Sequence, residues 1–285
     1  MSLTVQHFYD ELTSTLTYIV FDESSKDALI IDPVLNFDYA SGKTSMESIN
    51  ALEAFIIEQN LTPHLILETH AHADHLTGAL ELRKRFPNLK DAIGENIIKV
   101  QSVFKDVFNL RDFKTNGTQF DLLIKDGETV SAGSIEIKVI STPGHTPACC
   151  SFLIEDLLFT GDALFMPDSG TGRCDFPMGS ASDLYNSIHE KLYKLPDSTR
   201  FFTCHDYQVG GRELKFESTI GESKESNIQL KETTTEQEFI KFRQERDLTL
   251  NAPNLLLPSI QVNIDAGRLP DAETNGKSYL KIPIN

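Results

Sequence analysis

Short apolar runs bounded by polar turns mark the first 35 residues as strands. Leu16 to Phe21 and Ala28 to Ile31 are apolar and β-branched, split by the turn-like run Asp22-Glu-Ser-Ser-Lys26. From Met46 to Gln59 the period changes: Ile49, Leu52, Phe55 and Ile56 recur at helical spacing. Leu65-Ile66-Leu67 then reads as a short buried strand running into Thr69-His70, and Leu76 to Phe86 returns to a helical pattern. Further strands are expected at Leu122 to Ile124, Ile135 to Ile140, Ser151 to Ile154 and Leu157 to Phe159, punctuated by Gly, Asp and Pro. Ala181 to Leu195 reads as a helix capped by Ser180 or Ser182 and closed before Pro196. Phe201-Phe202 is the last strand expected. Two strand-rich halves, each with helices, suggest two sheets face to face with helices outside.

The pattern changes after about residue 213. Ser223 to Glu238 is polar, Glu236 to Arg246 is helical, and Ala252 onward is rich in Pro and Asn. Leu255-Leu-Leu257, Ile260, Val262 and Ile264 need cover, which argues against disorder. The organisation expected is therefore a domain over 1–213 and an extension over 214–285 packed on it.

With 285 residues, 40% of them hydrophobic, the chain can bury a large core. A net charge of −16 repels phosphate backbones, so nucleic acid is not an expected partner. No apolar run reaches the roughly 18–20 residues that span a bilayer, and residues 1–7 lack the pattern of a secretory signal. A cytoplasmic location is expected, and Cys149, Cys150, Cys174 and Cys204 read as reduced thiols. A homodimer is left open.

His70, His72, Asp74 and His75 fall within six residues, directly after a buried strand. A lone histidine is ordinarily a surface or hydrogen-bonded core residue, but packing has no use for such a cluster in a loop. Alternate residues of an extended segment point the same way, so His70 and His72 can converge on one ion, with Asp74 and His75 facing the same space. Imidazole suits zinc and iron, and a carboxylate adds a hard oxygen. His145 in Ser141-Thr-Pro-Gly-His-Thr146, Asp162 in Phe159-Thr-Gly-Asp162, and His205 after Phe201-Phe202 share one context: a short apolar strand, a small or polar break, then a ligand-type residue. His7, His64 and His189 lack that context and read as structural or surface residues.

These blocks, spanning most of residues 60–207, resemble the metallo-β-lactamase superfamily. The resemblance implies an α+β fold, the αββα four-layer sandwich, with the site at one edge between the sheets. Two glutathione-linked branches compete. The run Gly170-Thr-Gly-Arg173-Cys174-Asp175-Phe176 is similar to the persulfide dioxygenases, which typically have a small residue and then Asp-Phe, although Cys174 stands where Thr is more usual. The thioesterases of glyoxalase II type typically have an aromatic pair there. His205-Asp206-Tyr207 also looks like the dioxygenases. The segments Pro258–Asn263 and Lys281–Asn285 resemble a longer bacterial subgroup called β-lactamase-like hydrolases.

For the dioxygenase branch the resemblance implies one non-haem Fe(II) on His70, His145 and Asp162, oxidising glutathione persulfide with O₂ to sulfite and glutathione. His72, Asp74, His75 and His205 would then orient ligands or bound water. The alternative is a dinuclear thioesterase. There His70, His72 and His145 would hold one zinc and Asp74, His75 and His205 the other, with Asp162 as the bridge. Arg173, Tyr207 and Arg212, which follow the site loops, are candidates for substrate contact, because arginine clamps carboxylates and glutathione carries two. Each has an ordinary surface or structural ion pair as its competing reading. Cys174 is either a reactive thiol or a small buried residue.

Overall fold

In the computed structural model, which describes residues 2–284, the chain opens as β1 (Leu3–Asp10), β2 (Thr15–Asp22), β3 (Asp27–Ile31), β4 (Val34–Asp38), β5 (Lys43–Ser45) and α1 (Glu47–Glu58). Then come β6 (Thr62–Glu68), β7 (Leu76–Thr77), α2 (Ala79–Arg85), β8 (Lys90–Gly94), α3 (Ile97–Val107) and β9 (Leu122–Ile124). The remainder runs β10 (Thr129–Ala132), β11 (Ile135–Ser141), β12 (Cys150–Ile154), β13 (Leu157–Phe159), α4 (Ala181–Asn186), β14 (Arg200–Phe202) and β15 (Glu217–Thr219). Helices α5 (Ile220–Ser226), α6 (Glu236–Asp247) and α7 (Leu256–Asn263) follow.

One six-stranded sheet has the order β1-β2-β3-β6-β8-β9, and the other runs β10-β11-β12-β13-β14-β15. Side-chain alternation assigns their faces. Leu16, Tyr18 and Val20 of β2 and Leu65 and Leu67 of β6 meet Ile135, Ile137 and Val139 of β11 and Phe152 of β12 between the sheets. The intervening residues, Ile19, Phe21 and Ile66, face outward onto Ile49, Leu52 and Ile56 of α1 and Leu82 of α2. Across the second sheet, Leu158 and Phe201 are covered by Leu184 of α4 and Phe239 of α6. Helix, sheet, sheet, helix is thus the arrangement that leaves neither sheet face wet. Each fully buried Leu, Ile or Phe stabilises it by about 1.5–3 kcal/mol.

Several local expectations are corrected. The helix expected over Ala181–Leu195 changes its turn type along its length: α4 ends at Asn186, and a π turn and a 3₁₀ turn continue directly to Lys194. Ser187 Oγ donates to Pro143 O at 2.7 Å, which ties that turn to the sheet edge. The cap is Ser180, whose hydroxyl accepts from Asp183 N, whereas Ser182 donates to Glu236. The pattern at Leu76–Phe86 divides into β7 and α2, because Leu76 and Thr77 pair with Leu35 and Val34 before the helix begins. Phe201-Phe202 is not the last strand, since β15 pairs with β14 and carries the second sheet beyond residue 213. The Pro- and Asn-rich tail forms α7 despite Pro258, which sits in the first turn, where an amide has no intrahelical acceptor to lose. Among the described residues, no helix is long and apolar enough to cross a membrane.

Candidate metal centre

The ligand-type residues lie just past the ends of β6, β11, β13 and β14. Strands β13 and β14 are parallel, so Asp162 and His205 leave the sheet at the same edge. Gly144 lets the loop before His145 turn at φ +142°, and a Cβ there would lie 2.4 Å from the backbone of Leu184.

Ligand atoms of His70, His145 and Asp162 lie within 4.8 Å of one another, and all three residues are buried. Asp162 Oδ2 is 3.5 Å from His145 Nε2 and 4.0 Å from His70 Nε2. On the other side, Asp162 Oδ1 is 3.4 Å from His205 Nε2, which is 3.1 Å from Asp74 Oδ2. His72, Asp74 and His75 form an adjoining group of the same compactness. The structure thus brings together the seven residues that the sequence marked as ligand-type.

The imidazoles are anchored through their outer nitrogens. Nδ1 of His145 donates to Arg173 O at 2.6 Å, and Nδ1 of His205 lies 3.2 Å from Ser14 O. His70 Nδ1 and His75 Nδ1 face the hydroxyls of Thr69 and Thr15. The inner atoms His70 Nε2, His75 Nε2, His205 Nε2 and Asp162 Oδ1 are buried without a hydrogen-bond partner. Buried polar atoms are rarely left so, and convergent orphan nitrogens beside a carboxylate oxygen fit a metal. Burial, then the His72 imidazole, holds His70 well below the ordinary histidine range, leaving it neutral as a ligand must be. Burial pushes Asp74 upward, but the imidazoles of His205 and His75 outweigh it and keep the carboxylate well below its ordinary range.

Two residues that support this cluster were missed from sequence. Asp32 accepts from Thr69 N and Oγ1 at 2.7 and 2.8 Å and lies 3.0 Å from His72 Nε2. It ends β3 before Pro33, the same strand-end context that marked His145, so that rule could have found it. Asn263 of α7 is buried against the loop: its amide donates to His72 O and His75 O and accepts from Thr77 N, each at 2.8 Å. No local signal marks it.

A cleft of about 1210 Å³ opens on Asp74, His145 and Asp162. Its far wall is the tail: Gln229, Phe242, Arg243, Arg246 and Leu255 line it. Helix α6 also braces the site loops: Arg243 Nη1 donates to Thr171 O, and Asp247 Oδ2 accepts from Cys174 N. Tyr207 lines the cleft, its ring stacked 5.8 Å from that of His205. Arg173 lines it too but is paired with Asp175 and donates to Asn251 O. Arg212 is not in the lining. Its guanidinium is spent on Asp168 and Asp206, so the structural ion pair is what the structure places there. Cys174 is buried, and burial pushes its thiol far above the ordinary range, which opposes a reactive thiolate. The other histidines stay outside the cluster: His64 pairs with Asp27, His189 lies against Tyr185, and His7 stacks on Phe216.

Residues 11–205 match the metallo-beta-lactamase superfamily. The chain is 50% identical to "Glyoxylase B2" of Dictyostelium discoideum, over 99% of this chain and 97% of that protein. It is 31% identical to the human mitochondrial persulfide dioxygenase ETHE1, over 93% of this chain and 89% of that one. The crystal structure of ETHE1 from Myxococcus xanthus superposes with a TM-score of 0.75 at 29% identity, covering 93% of this chain and all of the other. The chain belongs to the metallo-β-lactamase superfamily, among homologues that include the ETHE1 persulfide dioxygenases.

Proposed function

We propose that the protein is a persulfide dioxygenase that binds one Fe(II) and oxidises glutathione persulfide with O₂ to sulfite and glutathione. The observation that carries this reading is the convergence of His70, His145 and Asp162, the last two of which line the cleft. Two imidazoles and one carboxylate are the donor set suited to non-haem iron, with positions left over for substrate. The iron would supply the redox chemistry with O₂ that zinc lacks.

The chain's own residues do the rest. Arg173 O fixes the tautomer of His145, so that Nε2 presents a lone pair. Asp32 and Asn263 hold the His70–His75 loop in register. His205 and Asp74, 3.1 Å apart beside Asp162, are placed to hold a proton or a water next to the ligands. Tyr207 and the tail wall narrow access for solvent.

A second reading has a specific support. His72, Asp74 and His75 also form a compact donor group, His205 Nε2 lies 3.1 Å from Asp74, and the 50% identical relative bears the name "Glyoxylase B2". A dinuclear zinc thioesterase would use both groups, with Asp162 between them. Metal counting separates the two. Protein reconstituted anaerobically should hold about one iron per chain, and His75→Ala should keep that number while losing part of the activity. Two metals per chain, falling to one in His75→Ala, would favour the thioesterase.

A further inference from the structure

The charged side chains lining the cleft differ in what already neutralises them. Asp74 and Asp162 face imidazoles, Asp168 is held by Arg212, Arg173 by Asp175, and Arg243 by Asp247. Among the described residues, two lining charges outside the metal cluster have no ion partner, and they are of opposite sign. Arg246, on α6, has only a 3.4 Å hydrogen bond from Nη1 to Thr249. Asp38, at the end of β4, accepts from Ala40 N and Ser41 Oγ and forms no ion pair, even with Lys43 opposite it in register.

Both charges are exposed and set among exposed apolar side chains. Tyr39 follows Asp38, and Phe242 precedes Arg246 by one helical turn on the same face of α6, both lining the cleft with Leu12 and Ile228. A surface ion pair is worth little in open water, but a charge flanked by apolar walls is screened less and discriminates better. The cleft exceeds the roughly 300–1,000 Å³ usual for small-molecule sites, leaving room for a substrate that reaches past the metal to the tail.

We infer that Arg246 receives a carboxylate and Asp38 an ammonium of one substrate, so that the cleft selects a zwitterionic, peptide-like thiol derivative. This rests on the glutathione reading proposed above and assigns its recognition to residues other than Arg173 and Arg212. The C-terminal segment would then supply specificity as well as cover.

The test is binding, independent of turnover. S-methylglutathione is titrated calorimetrically into metal-loaded wild type, Arg246→Gln and Asp38→Asn, alongside its diethyl ester and its N-acetyl derivative. Each substitution should weaken binding of the parent about tenfold, as expected for loss of a charge-assisted contact. Wild type should disfavour the ester and the N-acetyl derivative by a similar factor. Arg246→Gln should no longer distinguish parent from ester, nor Asp38→Asn parent from the N-acetyl form. Such matched losses cannot come from general damage to the fold. If wild type binds and both variants keep its affinity and discrimination, the assignment of Arg246 and Asp38 is wrong while the glutathione reading survives. If wild type does not bind S-methylglutathione, the glutathione reading itself fails, and this inference with it.

Discussion

The side-chain amide of Asn263 donates to the backbone carbonyl of His72 at 2.8 Å, across 191 positions of sequence. Its other bonds, to His75 O and Thr77 N, make α7 a clamp on the loop that carries four of the candidate ligands. Asn263→Ala would leave two carbonyls and one amide buried and unpartnered, at about 1–3 kcal/mol for each group left so. Metal should be held about 10–100-fold more weakly, as when other groups that orient ligands are removed. Competition with a chelator and a denaturant melt measure the two effects. Asn263→Asp should do no better, because a carboxylate cannot donate. Unchanged metal retention in both variants would show that the loop holds its shape without α7.

Arg212 is a structural clamp in this account. Asp206 is fully buried and receives Arg212 Nη1 and Nη2 at 2.7 and 2.6 Å. Removing the guanidinium strands a buried carboxylate, so Arg212→Ala should cost about 3 kcal/mol of stability. The KM of the folded enzyme should stay within about twofold. A raised KM without loss of stability would return Arg212 to the substrate site.

How far the sequence reached follows from distance along the chain. The cluster His70 to His75 was legible because its members are local, and His145, Asp162 and His205 because each ends a strand. The two-sheet sandwich was legible in the short apolar runs of β2, β6 and β11, separated by helical patterns and turn residues. Arg212 stayed open between substrate contact and ion pair because one partner, Asp168, lies 44 positions away, and nothing in the local pattern distinguishes a paired guanidinium from a free one. Asn263 and Arg246 depend on where the tail docks, which periodicity does not encode. The π turn at Ser187–Lys191 was invisible in the sequence, because the apolar pattern to Leu195 does not distinguish one helical hydrogen-bonding pattern from another.

Asp91 provides a pH test away from the ligands. Its carboxylate is buried in β8 with both oxygens unpartnered. Burial, with Asp121 adding and Arg83 opposing, raises its pKa from the usual 3.8 to about 7. A raised carboxyl pKa means that the folded chain binds the proton more tightly than the unfolded chain between those values. Stability therefore falls as pH rises through that window, and the loss is complete above about pH 7. At about 1.4 kcal/mol per unit, the full cost is on the order of 4 kcal/mol. Asp91→Asn should stabilise the protein more at pH 8 than at pH 5, by roughly 3 kcal/mol in urea melts. An effect independent of pH would mean that Asp91 is ionised or protonated throughout.

Oxygen uptake by anaerobically prepared, iron-loaded protein given glutathione persulfide decides between dioxygenase and thioesterase. The balance is one persulfide, one O₂ and one water to one glutathione, one sulfite and two protons. O₂ should be consumed with about one sulfite released per O₂, with no uptake by the zinc-loaded protein and none by folded His145→Ala. If no preparation takes up O₂, and the zinc form instead cleaves S-lactoylglutathione rapidly, the dioxygenase account is contradicted and the thioesterase replaces it.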